Sequence, residues 1–191
     1  MYLLMDSETG GLDSSKHSIL TLYMAAYDDN LNHIGDLDLK IKPENGKYNV
    51  TEEALKINGI ELTSHDKLAM TESDATIQIE QFLMLSSRDG ADKLVVIGHN
   101  ATFDVNFITA QLVPVKTWEK YVHRNLLDTM TIAFFLKCLR IVPMNVPNSL
   151  SSLSEFFCIK TANLHDAKSD SLVTISLLKK MIKEVKGLNP R

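Results

Sequence analysis

The stretch MYLLMDSETGGL, residues 1–12, decides the fold. An apolar run, Tyr2–Glu8, gains carboxylates at its far end and stops at Gly10-Gly11, the pattern of a short core strand closed by a turn. Side chains alternate along a strand, so Asp6 and Glu8 share one face. Two adjacent carboxylates repel each other unless a cation sits between them, and a hard divalent ion prefers oxygen ligands. Taken alone, the pair reads equally as solvated loop carboxylates. Gly10-Gly11 taken alone is a turn without the Lys of a phosphate-binding loop.

Outward from this strand, the N-terminal third continues in the same period. Ile19–Tyr27 is apolar and aromatic and ends at Asp28-Asp29-Asn30. Ile34–Ile41 alternates Leu37, Leu39 and Ile41 with Asp36, Asp38 and Lys40, which predicts a three-strand meander with one wet face. The period then becomes helical. TEEALKI from Thr51 reads as a short helix stopped at Asn58-Gly59. Thr71 with Asp74 forms a capping box ahead of Ile77, Ile79, Phe82 and Leu83, and Arg88-Asp89-Gly90 breaks that helix. Leu94–Ile97 is a four-residue apolar strand bounded by Gly98. A helix over 102–112 follows, with Phe103, Phe107, Ile108 and Leu112 apolar. Leu126-Leu127 marks a strand end, and a helix runs from Thr129 to Leu139. Pro143 and Pro147 mark a loop, and Ser152 with Glu155 suggests a second capping box. The last helix runs from about Ala167 to Val185, with Leu172, Ile175, Leu178 and Met181 as its apolar stripe. Strands first, then alternating helices and strands, predict an α/β domain with a mixed sheet.

The 191 residues, 45% hydrophobic and 23% charged, suit one globular domain over residues 1–191 with a short tail at 186–191. No apolar run approaches the ~18 residues of a membrane span. The N-terminal apolar run stops at Met5 with no basic residue before it, unlike a secretory signal. Cys138 and Cys158 lie outside any CxxC spacing, so a reducing, cytoplasmic setting is expected. The charge is uneven. Residues 160–191 carry seven basic and three acidic residues, and the first 159 carry 13 and 21. Such a chain needs bound cations or a local basic patch to hold a nucleic acid.

Two further places pair carboxylates with strand or helix ends. In GHNATFD, residues 98–104, Asp104 falls in the first turn of a helix that follows a buried strand, where sites of α/β sheets assemble. In HDAKSD, residues 165–170, His165 precedes the last helix and Asp170 lies in its first turns. A histidine near neutrality suits a general base. Each place alone reads as an ordinary helix-dipole carboxylate or a surface histidine. The functional reading comes from all three together.

That combination resembles the DEDDh (DnaQ-like) family of 3′→5′ exonucleases, the group containing the proofreading subunit of bacterial DNA polymerase III. The first motif, D-x-E-T-T-G-L, is matched by Asp6-Ser7-Glu8-Thr9-Gly10-Gly11-Leu12. The second, H-N-A-x-F-D-x-x-F, is matched from His99 to Phe107 throughout. The third, H-x-A-x-x-D, is matched by His165, Ala167 and Asp170. Asn58-Gly59-Ile60 and Leu127-Asp128-Thr129 are lesser echoes. The resemblance spans nearly the whole chain.

The resemblance implies a ribonuclease H-like fold, a five-stranded mixed sheet flanked by helices. It implies that Asp6, Glu8, Asp104 and Asp170 bind two Mg²⁺ or Mn²⁺ ions, ~3.5–4 Å apart in such sites. His165 would accept the proton of the attacking water, and nucleoside 5′-monophosphates would be released from single-stranded DNA 3′ ends. Thr9 and Gly10 would offer backbone groups to the terminal nucleotide, and Leu12 would wedge against its base with Phe103 nearby. For Leu12 and Phe103, core packing is an equal alternative; Asn100 would be a cap or stand behind the site, and Asp128 would be structural. Gly10 replaces the family's second threonine, which puts terminal-nucleotide binding in doubt but not the metal site. Trimming of RNA ends, or non-catalytic nucleic-acid binding on the same fold, are the alternatives. No membrane contact is implied, while a polymerase or other replication or repair partner is compatible.

Overall fold

A computed structural model describes residues 1–161 and 166–187. Its centre is β1 (Tyr2–Thr9), flanked by antiparallel β2 (Ile19–Tyr27) and parallel β5 (Leu94–Gly98). β3 (His33–Lys42) extends the meander beyond β2, and β6 (Val122–Asp128) lies parallel beyond β5. The sheet is six-stranded among the described residues, in the order β4-β3-β2-β1-β5-β6, where the family resemblance implies five. The addition is β4 (Met70–Thr71), which pairs parallel with Ile41 and Lys42. Two residues carry no period, so this strand leaves no signal in the sequence.

Alternation along β1 sends Leu3 and Met5 to one face and Leu4 to the other. The first face packs under α3 (Glu72–Ser86), α4 (Ala101–Gln111) and α5 (Val115–Tyr121), with Ile79, Leu83, Phe107, Ile108 and Trp118 in the shared core. The second face packs under α8 (Ala167–Gly187), through Tyr23, Ala25, Ile97, Ile175 and Leu178. A third cluster joins α6 (Thr129–Cys138) and α7 (Leu150–Phe156) to α8 through Leu136, Leu153, Leu177 and Met181. Both faces of β2 are therefore covered, and the wet face belongs to β3, where Asp36, Asp38 and Lys40 are exposed. Among the described residues, no helix is long and apolar enough to cross a membrane.

Several helix boundaries follow the sequence. Thr51 caps α1 (Glu52–Asn58), with Gly59 left-handed at its end, and the Thr71 side chain accepts from the Asp74 amide. Others are displaced. The cap of α7 is Ser149, whose Oγ accepts from the Ser152 amide, so the Ser152–Glu155 box is not used as a start. Leu172 and Ile77 are exposed, because α8 buries a broader face that includes Val173 and Leu177, and α3 turns Ile79 and Leu83 inward. The last helix continues through Gly187, two residues into the expected tail.

Candidate active site

The C-terminal ends of the parallel strands β1, β5 and β6 lie along one edge of the sheet, and the carboxylates collect there. Asp6 and Glu8 share the face of β1 that carries Leu4, the face covered by α8. Asp170 arrives from the first turn of α8, whose start is fastened by Asp166 accepting from the Ser169 amide and hydroxyl. One oxygen from each of Asp6, Glu8 and Asp170 lies within 4.8 Å of the others. Burial pushes the Asp6 carboxyl well above the usual carboxylate range, and Asp104, Glu8, Asp170 and Asp166 raise it further. Burial, then Asp170 and Asp104, lifts Glu8 from 4.5 to about 7. Among the described residues no lysine or arginine pairs with Asp6 or Glu8. The nearby cation Lys168 lies instead 3.7 Å from Asp36 and 3.6 Å from Asp38. These crowded hard oxygens form a donor set that fits a divalent cation.

Asp104 reaches this edge from the opposite side. It is 3% exposed on α4, and its Oδ1 accepts from the Ser7 hydroxyl at 2.6 Å. Its charge bears on Asp6 and Glu8, yet it stands outside the three-residue convergence. Burial raises its pKa, while hydrogen bonds from the Ser7 side chain and backbone draw it back down. The start of α4 is held by Asp128, at the end of β6. That carboxylate accepts from the amides of Asn100 and Ala101, and also caps α6 through Met130 and Thr131. Asp128 is thus structural, as the sequence suggests. Asn100 occupies the cap position with φ 67° but makes no side-chain capping bond, so the expected cap role passes to Asp128. His99 Nδ1 lies 2.9 Å from the Thr129 hydroxyl, tying the same turn to α6.

The residues expected to touch substrate divide. Leu12 is 87% exposed, which removes core packing as its role. Phe103 is half-buried and its ring stacks 4.9 Å from Phe107, against the core. The Gly10 backbone is engaged within the fold: its N–H donates to the Ser18 carbonyl, and its carbonyl accepts from the Thr51 amide with one lone pair to spare. A Cβ there would lie 2.5 Å from the Asn49 carbonyl oxygen, which explains why glycine stands where the motif has threonine. The Thr9 hydroxyl donates to the Gly11 carbonyl, and its own carbonyl accepts from Asn58. His165 lies outside the described residues.

Sequence reasoning missed the residues that extend the site across the sheet. Glu8 pairs in register with Thr21, and Thr21 with Lys40, so the three form one row on one face. They line a cavity of about 220 Å³, closed by Asn58, Ile60, Ser64, Leu68 and Asp166. Among the described residues, Thr21 Oγ1 is buried there without a hydrogen-bond partner. The alternation of β3 was the available signal for Lys40; nothing local marks Thr21 or the register that brings it beside Glu8.

This α/β fold, a mixed sheet flanked by helices, is shared by solved structures. Exonuclease I of E. coli in complex with a dT13 oligonucleotide superposes with a TM-score of 0.78 at 21% identity, covering 95% of this chain and 40% of that one. Exonuclease I from Methylocaldum szegediense gives 0.76 at 22% identity, covering 96% and 40%. The family described as RNase_T, exonuclease, matches residues 3–178, and the chain belongs to it. Ribonuclease T of Blochmanniella pennsylvanica is 30% identical over 123 residues, 62% of this chain and 56% of its own length. Ribonuclease T of Haemophilus influenzae is 32% identical over 113 residues, 56% and 49%. The chain thus spans about half the length of the curated relatives it matches.

Proposed function

We propose that the chain, as one exonuclease domain over residues 1–191, removes nucleoside 5′-monophosphates from the 3′ ends of single-stranded DNA. The observation that carries this reading is the convergence of Asp6, Glu8 and Asp170 at the strand ends of a chain in the exonuclease family. Asp6, Glu8, Asp104 and Asp170 would hold two Mg²⁺ or Mn²⁺ ions. Bound there, the ions would supply charge stabilisation to the phosphoryl group and its leaving oxygen. The chain's own residues do the rest. His165, two residues before Ala167 in sequence, takes the proton of the attacking water. The cavity beside Glu8 receives the terminal nucleoside, and the exposed Leu12, on the wall of a separate cavity with Gly11 and Ile57, wedges against a base. Lys40 places a cation near its phosphate. The expected site of action is intracellular, and a replication or repair partner, a polymerase included, remains compatible with this activity.

A second reading, trimming of RNA 3′ ends, is favoured by the 30–32% identity to proteins named Ribonuclease T. Matched DNA and RNA oligonucleotides labelled at the 5′ end separate the two. Shortening from the 3′ end, lost with chelator and in Asp170→Ala and His165→Ala, is the expected result, with DNA cut faster. Faster cutting of RNA would make RNA the substrate. Folded, ion-binding protein that cuts neither would remove the exonuclease reading.

A further inference from the structure

The fourth carboxylate has a support that neither the motifs nor the relatives assign. Strand alternation puts Ser7 on the face of β1 opposite Asp6 and Glu8, the face that carries Leu3 and Met5 and packs under α4. Ser7 is 8% exposed there, and its hydroxyl donates at 2.6 Å to Asp104 Oδ1. Asp104 is itself nearly sealed from solvent, so its carboxylate cannot be oriented by bulk water. One of its oxygens is engaged by Ser7. Backbone bonds from Ser7 and Asp104 also reach this carboxylate, and the Ser7 hydroxyl is the side-chain donor added to them. The three carboxylates of the α8 face already lie within 4.8 Å of one another without it.

We propose that Ser7 is a positioning residue: its hydroxyl fixes the rotation of the Asp104 carboxylate, and the second divalent ion depends on that bond while the first does not. The proposal rests on the functional reading above. The arrangement divides the site into two halves. Asp6, Glu8 and Asp170 form one from the α8 side, and Ser7 with Asp104 supplies the other from the α4 side. A hydrogen-bond partner that orients a ligand carboxylate typically contributes 10–100-fold to ion affinity, so the effect is measurable.

The test is ion binding by calorimetry, with Mn²⁺ titrated into the full chain as wild type, Ser7→Ala, Ser7→Thr, Ser7→Val and Asp104→Asn. Steady-state kinetics on a 3′-single-stranded oligonucleotide run alongside. Wild type is expected to bind two ions. Ser7→Ala and Ser7→Val are expected to keep the tighter one and weaken the other about 10–100-fold, while Ser7→Thr restores it. Thr and Val have the same shape and both suit a strand, so any packing cost cancels in their comparison, and the pair serves if Ser7→Ala does not fold. The kcat is expected to fall in Ser7→Val with KM for the oligonucleotide held. Two ions bound to Ser7→Val as tightly as to Ser7→Thr would overturn the assignment while leaving the exonuclease reading intact. Wild-type protein that binds no ion and cuts no 3′ end would remove both.

Discussion

Glu8 is the residue whose environment makes the clearest prediction. In the ion-free fold it titrates near 7, against an ordinary value of 4.5. Asp6 is raised in the same direction by the same burial and crowding, and Asp104 chiefly by burial. Between the two values the folded state holds a proton that the unfolded chain has released, so stability is full below about 4.5 and declines as the pH rises through 7. With chelator present, the melting temperature is therefore expected to fall between pH 5 and pH 8. With Mg²⁺ present the fall should shrink, because an ion that binds only the native state adds stability. Glu8→Gln should flatten the chelator curve while abolishing ion-dependent activity. A chelator curve that rises from pH 5 to 8 would contradict this account. Gly10 gives a second prediction at this scale. Alanine there forces a Cβ to within 2.5 Å of the Asn49 carbonyl oxygen and 2.7 Å of Val50 Cγ1, and the first contact is backbone that cannot swing away. Overpacking of this kind costs about 1–3 kcal/mol. Urea unfolding of Gly10→Ala should show that loss, with activity reduced because the displaced turn follows Glu8 directly. The sequence identifies Gly10 as a departure from a motif. Only the approach of residues 49 and 50, distant in the chain, shows why the departure is required.

At the scale of elements, readability tracked how local the determining interaction is. Thr51 and Thr71 cap their helices where the sequence places them, since a cap is a bond between neighbours. The helices of residues 62–68 and 115–121 escaped because their starts are atypical. Glu61 caps the first through the amides of Thr63 and Ser64, and Pro114 opens the second with no side-chain bond. The start of α7 is a question of which serine in a run does the capping. Ser149 accepts from the Ser152 amide, so Ser149→Ala should cost about 1 kcal/mol by denaturant unfolding. Ser152→Ala, which leaves that amide and its acceptor in place, should cost clearly less. Equal losses would restore Ser152 as the cap. Asp128 is the more consequential element-level device, because one carboxylate fastens the starts of both α4 and α6. Asp104 rides on α4, three residues beyond Ala101, so loosening that start moves a site carboxylate. Asp128→Ala should lower both stability and kcat, whereas Ser149→Ala should lower stability alone.

For the whole molecule, the governing tension is between an acidic chain and the polyanionic substrate proposed for it. The first 159 residues, which hold Asp6, Glu8 and Asp104, carry 13 basic against 21 acidic residues. The row across the sheet places Lys40, the one lysine or arginine among the described residues lining the cavity beside Glu8, with Glu8, Glu61 and Asp166. Lys168, close by, is already shared by Asp36 and Asp38. Lysines and arginines that neutralise phosphates release counterions, and for single strands each contact contributes a slope of about −0.7 to log K against log salt. One or two such contacts give a slope between about −0.7 and −1.4, shallow for a nucleic-acid binder. Attraction must then come chiefly from ions held by the carboxylates. The expectation is that a 3′-single-stranded oligonucleotide binds His165→Ala protein in Mg²⁺, shows this shallow salt dependence by fluorescence anisotropy, and is released by chelator. Lys40→Met should weaken binding and reduce the slope by about 0.7. A slope steeper than about −3 that persists in chelator would mean at least four phosphate contacts on a basic surface away from the strand ends. The lysine-rich outer face of α8, with Lys180, Lys183 and Lys186 exposed, would then be the surface to mutate next.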